Sequence, residues 1–324
     1  MENIRSKMLL SLAFGLLVVV VLGLYADVHR TARALATFEW RWLPAIIGLT
    51  LLNYLGRYVK WHYYLGCIGS HIQRRDSAAI FLAGLSMVLT PGKVGELLKS
   101  YLLKRLDGTP IARSAPVVLA ERLTDGIALL MLGAAGLALY GTGWKVMLFV
   151  SLLAVAAVLA VQVRSVALFL LDIAGRLPLI GRISAKLRVA YESIYTLLEA
   201  GNLLLAIGIG LVSWSCECVA FALVLHGLHV STTLLPVKAA FILAASTLVG
   251  SASMLPGGLG VADGGIVVLI KALVTPNVDV AVAATLLIRL CTLWFGVAVG
   301  AVALAGFSRR FGGTSRSLEG LAHL

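Results

Sequence analysis

Two stretches decide how this chain folds. Residues 90–99 read Thr90-Pro91-Gly92-Lys93-Val94-Gly95-Glu96-Leu97-Leu98-Lys99, and residues 255–263 read Leu255-Pro256-Gly257-Gly258-Leu259-Gly260-Val261-Ala262-Asp263. Each interrupts a long apolar run with Pro-Gly. Proline lacks the backbone N–H that a helix interior needs, and it disfavours helix in the residue before it. The 13 residues from Ala78 to Thr90 reach about 20 Å as a helix, short of a ~30 Å hydrocarbon core. The runs at 78–103 and 237–271 therefore read as re-entrant hairpins of two short helices each. Such irregular backbone survives at membrane depth only where protein buries it or a wet cavity satisfies it. Pro91, Gly92, Pro256 and Gly260 are the expected hinges.

The rest of the chain places these breaks in a membrane. Of 324 residues 60% are hydrophobic and 13% charged, with mean hydropathy +0.97. A soluble domain carries about 25% charge, so a water-soluble fold is excluded, as are disorder and collagen. Full spans are expected at 8–25, 43–66, 115–140, 144–163, 203–227 and 280–306, giving an all-α bundle of six spans plus two hairpins. The net charge of +12 is scattered, without the stripe or motif of a nucleic-acid binder. Placing the N-terminus inside, with each hairpin entering and leaving on one side, leaves 15 basic loop residues inside against 6 outside. That asymmetry puts both termini in the cytoplasm. Cys67, Cys216, Cys218 and Cys291 stand in apolar segments with no disulfide or zinc spacing, as small packing residues do. No metal and no cofactor are expected.

The two breaks also imply a repeat. An acid follows each, Glu96 and Asp263, and then a span with an arginine, Arg122 and Arg289, at 31 and 33 residues from the proline. A span with polar residues precedes each, around Arg57 and Lys60 in one case and Glu217 in the other. The chain thus reads as one membrane domain, 1–324. Its halves, 43–140 and 203–306, are inverted relative to each other, with a cytoplasmic interfacial connector at 164–200. Inverted repeats whose broken helices meet at mid-membrane are a common transporter architecture.

Ionisable residues inside the apolar segments are the candidate site: Arg57, Lys60, Lys93, Glu96, Lys99, Glu121, Arg122, Asp125, Glu217, Asp263 and Arg289. Each costs about 2.5–3.5 kcal/mol at a helix centre unless paired or wetted. The bland reading is snorkelling at helix ends or a structural ion network. Glu121 and Asp125 share a helix face and repel. Arg122 can neutralise Asp125, and a cation from another segment is needed besides: Lys93, Lys99, Arg57 or Lys60. The helix start after Gly92, with Lys93 in its first turn, suits phosphate or carboxylate. Gly257 and Gly258 serve either close approach of a ligand or close helix packing.

These motifs, Thr-Pro-Gly-Lys-Val-Gly-Glu-Leu-Leu-Lys at 90–99, Glu-Arg-Leu-Thr-Asp-Gly at 121–126 and Leu-Pro-Gly-Gly-Leu-Gly at 255–260, resemble the lysylphosphatidylglycerol synthase transmembrane-region family of flippase-like membrane proteins. The resemblance covers roughly residues 8–308. It implies residence in a bacterial plasma (inner) membrane and movement of an anionic, aminoacylated, polyprenyl-phosphate-linked or hopanoid-type lipid between leaflets. The chain stops at Leu324 without the aminoacyl-transferase domain of the best-known members, so lysyl transfer is not implied. Asp263 stands where a glutamate closer to the glycine is expected. The expected partners are a membrane lipid as substrate, a separate lipid-synthesis enzyme and a second copy of the chain. Two further readings compete: a membrane-embedded transferase acting on a lipid-linked substrate, and a scaffold for a lipid-synthesis partner. The transferase would need an acidic outer loop, and Asp27, Glu39 and Asp279 are well separated.

Overall fold

The computed structural model describes residues 28–90, 95–140 and 184–310, with a few single helical positions between 148 and 164. The expected first span at 8–25, most of the expected span at 144–163, the first part of the connector, and Pro91, Gly92 and Lys93 lie outside the described residues. Among the described residues every regular element is helical.

A short helix, α1 (Val28–Ala36), precedes α2 (Leu43–Cys67), whose Pro44 sits in the first turn where its missing N–H costs nothing. The first broken hairpin is α3 (Arg74–Leu85) and α4 (Leu98–Asp107). Gly108 ends α4 in the left-handed conformation, φ 77°, which glycine adopts without a Cβ penalty. Then come α5 (Ile111–Tyr140) and α6 (Ser184–Leu197), followed by α7 (Ala200–Gly227). The second broken hairpin is α8 (Leu235–Ala252) and α9 (Val261–Leu273). Last is α10 (Val278–Arg289), N-capped by the Asn277 side chain, which passes through a π-helical turn at Leu290–Trp294 into α11 (Phe295–Arg310).

The expected breaks fall where the Pro-Gly pairs stand, but the two hairpins are unequal. With 12 and 10 residues, α3 and α4 reach about 18 and 15 Å. By contrast α8 has 18 residues, about 27 Å. Among the described residues four helical stretches are long and apolar enough to cross a membrane: Ala200–Gly227, Leu235–Ala252, Pro256–Leu273 and Val278–Phe307. The arms of the second hairpin are therefore longer than the half-helices expected. That hairpin carries few charges to interrupt its apolar runs, and α8 starts at Leu235, before the expected 237.

Two large buried clusters form the core, each built mainly from one half and completed by the other: Ala206 and Phe307 enter the first-half cluster, and Ile46 the second. Trp61, Tyr64, Phe81 and Leu102 centre the first, and Phe221, Leu225, Ile242 and Ile270 the second. The halves join along α2 and α7. There the Asn53 side-chain amide donates to the Ser213 carbonyl at 2.9 Å. A Cβ on Gly56 would lie 2.1 Å from Ser213 Oγ, so any larger residue there would have to displace the Ser213 side chain. They also join by exchange: α5 lies on α8, and α11 lies on α3. The second exchange contact is backbone on backbone, since a Cβ at Gly300 would come 2.3 Å from Ser86 N. The outward faces are apolar, with Leu51, Leu52 and Leu55 on α2 and Leu204, Val212 and Val219 on α7 exposed, as helices facing lipid are. The connector helix α6 packs along α5; Arg188 and Val189 stay exposed and Leu197 is buried.

Candidate functional site

The site is best built from the two breaks. At the first, Thr90 Oγ1 donates to the Met87 carbonyl at 2.8 Å and accepts the Gly95 N–H at 2.8 Å, closing the chain across the interruption. At the second, Gly257, Gly258 and Gly260 all have positive φ (60°, 67° and 82°), which other residues adopt only with strain. Asp263, in the first turn of α9, accepts the Gly260 N–H at 2.8 Å. The two breaks touch. Leu89 and Leu259 are both buried and pack together with Leu293, Trp294 and Val297 from the π turn and the start of α11. A Cβ at Gly257 would stand 3.0 Å from Leu89. This glycine thus serves both a special backbone conformation and the close meeting of the hairpins.

Ionic pairs surround this meeting point. Lys60 Nζ lies 2.5 Å from Asp125 Oδ1, and Lys99 Nζ 2.5 Å from Glu121 Oε2. Both pairs are almost fully sealed, with the Lys60 side chain 1% exposed. Lys99 also sits over the Trp61 ring, 4.4 Å from its centroid, a favourable place for a cation. The repulsion between Glu121 and Asp125 is therefore relieved by lysines from two other helices. Arg122 is the lesser partner of Asp125, at 3.7 Å. It lies nearer Glu96, at 3.3 Å, in the turn that leads into α4. Arg289 Nε donates to Asp263 Oδ1. In each half, then, the acid after the break pairs with the arginine of the span that follows.

A cavity of about 110 Å³ opens between these pairs, walled by α2, the end of α3, α5, α7, α8, the second break, and α10 with its π turn. Of the expected site residues, Arg57, Glu96, Arg122, Glu217, Gly257, Gly258 and Arg289 line it. Lys60, Lys99, Glu121, Asp125 and Asp263 are outside its wall; their role is to pair, and Asp263 holds Arg289 at the wall. Pro256 forms the short turn before α9. Among the described residues, Arg57 and Glu217 make no hydrogen bond or ion pair, although both are half-buried.

Side chains that composition alone reads as core complete the wall: Tyr54, Trp214, Thr247 and Thr292. The Tyr54 hydroxyl donates to the Thr292 carbonyl at 2.6 Å, inside the π turn. Turns of this kind recur at functional sites. A signal for two of them was present, since Tyr54 precedes Arg57, and Trp214 precedes Glu217, by one helical turn. Nothing in the residue types marks the π turn. Among the described residues no three or more His, Cys, Asp or Glu side chains converge as a metal site. The cavity instead offers guanidiniums, one carboxylate without a partner, hydroxyls and aromatic edges. That set suits a charged, hydrogen-bonding group with apolar attachments.

Comparison with known proteins agrees with this picture. A UPF0104 membrane protein of Methanothermobacter thermautotrophicus is 26% identical over 275 residues, covering 77% of this chain and 80% of its own length. The profile of the lysylphosphatidylglycerol synthase TM region matches residues 8–300, and by that match the chain belongs to this family of membrane proteins.

Proposed function

We propose that this protein carries the polar headgroup of an anionic membrane lipid between leaflets while the acyl or prenyl tails stay in the bilayer. One observation carries the proposal: three arginines, Arg57, Arg122 and Arg289, face a common cavity where two broken helical hairpins meet. Guanidiniums are preferred partners of phosphate, and they persist at membrane depth only for a reason. Lys93, Glu96 and the glycines of the second break belong to the same proposed binding region.

The two halves are proposed to be inverted repeats, with both termini in the cytoplasm of a bacterial inner membrane. Their exchange packing, α5 on α8 and α11 on α3, supports this, as do the matching acid–arginine pairs. The basic-residue asymmetry of the loops supports the orientation.

The test is reconstitution of the full chain into phosphatidylcholine vesicles with acyl-chain-labelled phosphatidylglycerol or a labelled polyprenyl phosphate. A membrane-impermeant reductant then reports how fast label moves from the inner leaflet. Exchange should exceed that of protein-free vesicles, and Arg57→Ala combined with Arg289→Ala should lower it at least tenfold. Equal exchange with and without protein, for both lipids, overturns the proposal.

A further inference from the structure

Resting on that headgroup reading, we propose that Glu217 takes up one proton as an anionic headgroup enters the cavity, so that lipid and proton move together. Of the cavity's arginines, Arg122 has Glu96 and Arg289 has Asp263. Arg57 has no carboxylate on it, and Glu217 has no cation on it, among the described residues. They stand on α2 and α7, the two helices that join the halves, and both line the cavity.

The surroundings leave Glu217 as the group that must respond. The helices packed against α7 bring Tyr54, Arg57 and Lys60 from α2, Arg122 and Asp125 from α5, and Arg289 from α10. From α8 come the Thr247 and Ser251 side chains, which do not titrate in this range. Cys216 and Cys218 flank Glu217 on its own helix. Lys60 and Asp125 cancel each other, and Arg122 and Arg289 are already matched. An incoming phosphodiester is therefore received by Arg57, the cation with charge to offer, and there it meets the Glu217 carboxylate. Two negative groups in a site of low dielectric disfavour each other, and the carboxylate relieves this by binding a proton. The step makes and breaks no bond except Glu217 O–H, which forms on entry and is lost on release. Carboxylates at membrane depth serve as proton carriers in this way.

The experiment uses the full chain in detergent, weakly buffered, titrated with short-chain phosphatidylglycerol while a pH dye counts protons. Wild type should take up close to one proton per lipid bound, and its affinity should fall about tenfold per pH unit above a midpoint, as linkage to a single proton requires. Glu217→Gln should bind without uptake, with an affinity that no longer falls as pH rises. In vesicles, a proton gradient should drive phosphatidylglycerol exchange by wild type and leave the Gln variant unresponsive. Should Glu217→Gln fail to fold, Glu217→Asp must shift the pH midpoint, and an unchanged midpoint overturns the proposal. Binding by wild type without proton uptake overturns it and leaves the headgroup reading intact. Tighter binding of an amine-bearing lipid that is lost in Glu217→Gln overturns it too, because Glu217 would then be an ammonium site. Neither binding nor exchange of any lipid overturns both.

Discussion

Each half of the chain leaves one charge facing the cavity without an ion pair among the described residues, Arg57 in the first and Glu217 in the second. The first half also seals two lysine–carboxylate pairs, whereas the second keeps few charges. In the first half, Lys60–Asp125, Lys99–Glu121 and Arg122–Glu96 tie α2, α4, α5 and the turn before α4 together. In the second, Arg289–Asp263 ties α10 to α9, and Glu217 faces the cavity without a partner among the described residues. The hairpins differ in the same sense, short and charged against long and apolar, and among the described residues the four stretches long and apolar enough to cross a membrane lie in the second half. The difference separates two uses of a charge at membrane depth. A sealed pair fixes how helices assemble, whereas an unpaired group facing a cavity is available to something that enters.

The sharpest way to break this comparison is to open a sealed pair. Lys60→Ala leaves Asp125 buried without its main cation and should cost about 3–5 kcal/mol, read as a lowered thermal midpoint in detergent. Replacing both residues with apolar ones, Lys60→Met with Asp125→Leu, should recover most of that loss. If the single and double variants melt alike, the pair is not what orders α2 against α5. Next in size is Gly300→Ala. Its new Cβ meets backbone rather than a movable side chain, and overpacking of this sort should cost about 1–3 kcal/mol. The separation of α11 from α3, followed by a cross-link between cysteines placed on the two helices, should report it.

Arg57→Ala should behave oppositely to Lys60→Ala. It should change stability by less than about 0.5 kcal/mol, as for a group without partners, while lowering phosphatidylglycerol binding at least tenfold. A large stability loss would show that Arg57 belongs with the sealed pairs after all. The smallest expected effect lies at the aqueous edge. Asp107 accepts from Ser70 Oγ at 2.6 Å and from the Thr109 N–H at 2.9 Å. Burial works against its charged form, but these bonds outweigh it and hold the carboxyl below the usual aspartate range. A carboxyl depressed in the folded state stabilises at pH above its unfolded value, near 3.8, and the benefit is lost as pH falls through the folded value. Asp107→Asn should therefore cost about 1 kcal/mol at pH 7 and flatten the acid limb of a melting profile.

Much of this was legible in the residues. Pro-Gly marks both breaks, and an acid and an arginine follow each. That these pair, Glu96 with Arg122 and Asp263 with Arg289, comes from the packed helices, since sequence spacing points Arg122 to Asp125. The need for a cation from another helix at Glu121 and Asp125 was plain from their spacing. Which lysine serves which acid was not, because Lys60 and Lys99 are both long enough to reach either, and only the packed helices decide. The length of α8 was misjudged because a Pro-Gly pair fixes where a run ends, not how far back it extends. The π turn after Arg289 was invisible, since a single extra residue in a helix leaves composition and hydropathy unchanged, and so the bond from Tyr54 to Thr292 was missed. Trp214 and Tyr54 look like ordinary apolar filling until a cavity stands beside them.

The exchange of closing helices also bears on how the chain is made. The segment that covers α3 includes Gly300, and buried Phe307 completes the core of the first half. More than 200 residues separate α3 from these positions, which at ordinary ribosomal speeds of 5–20 residues per second is roughly 10–40 s. Throughout that interval the newly inserted first hairpin has no permanent neighbour on one side. Whatever shields it in the translocon must yield its place to α11 when that helix emerges.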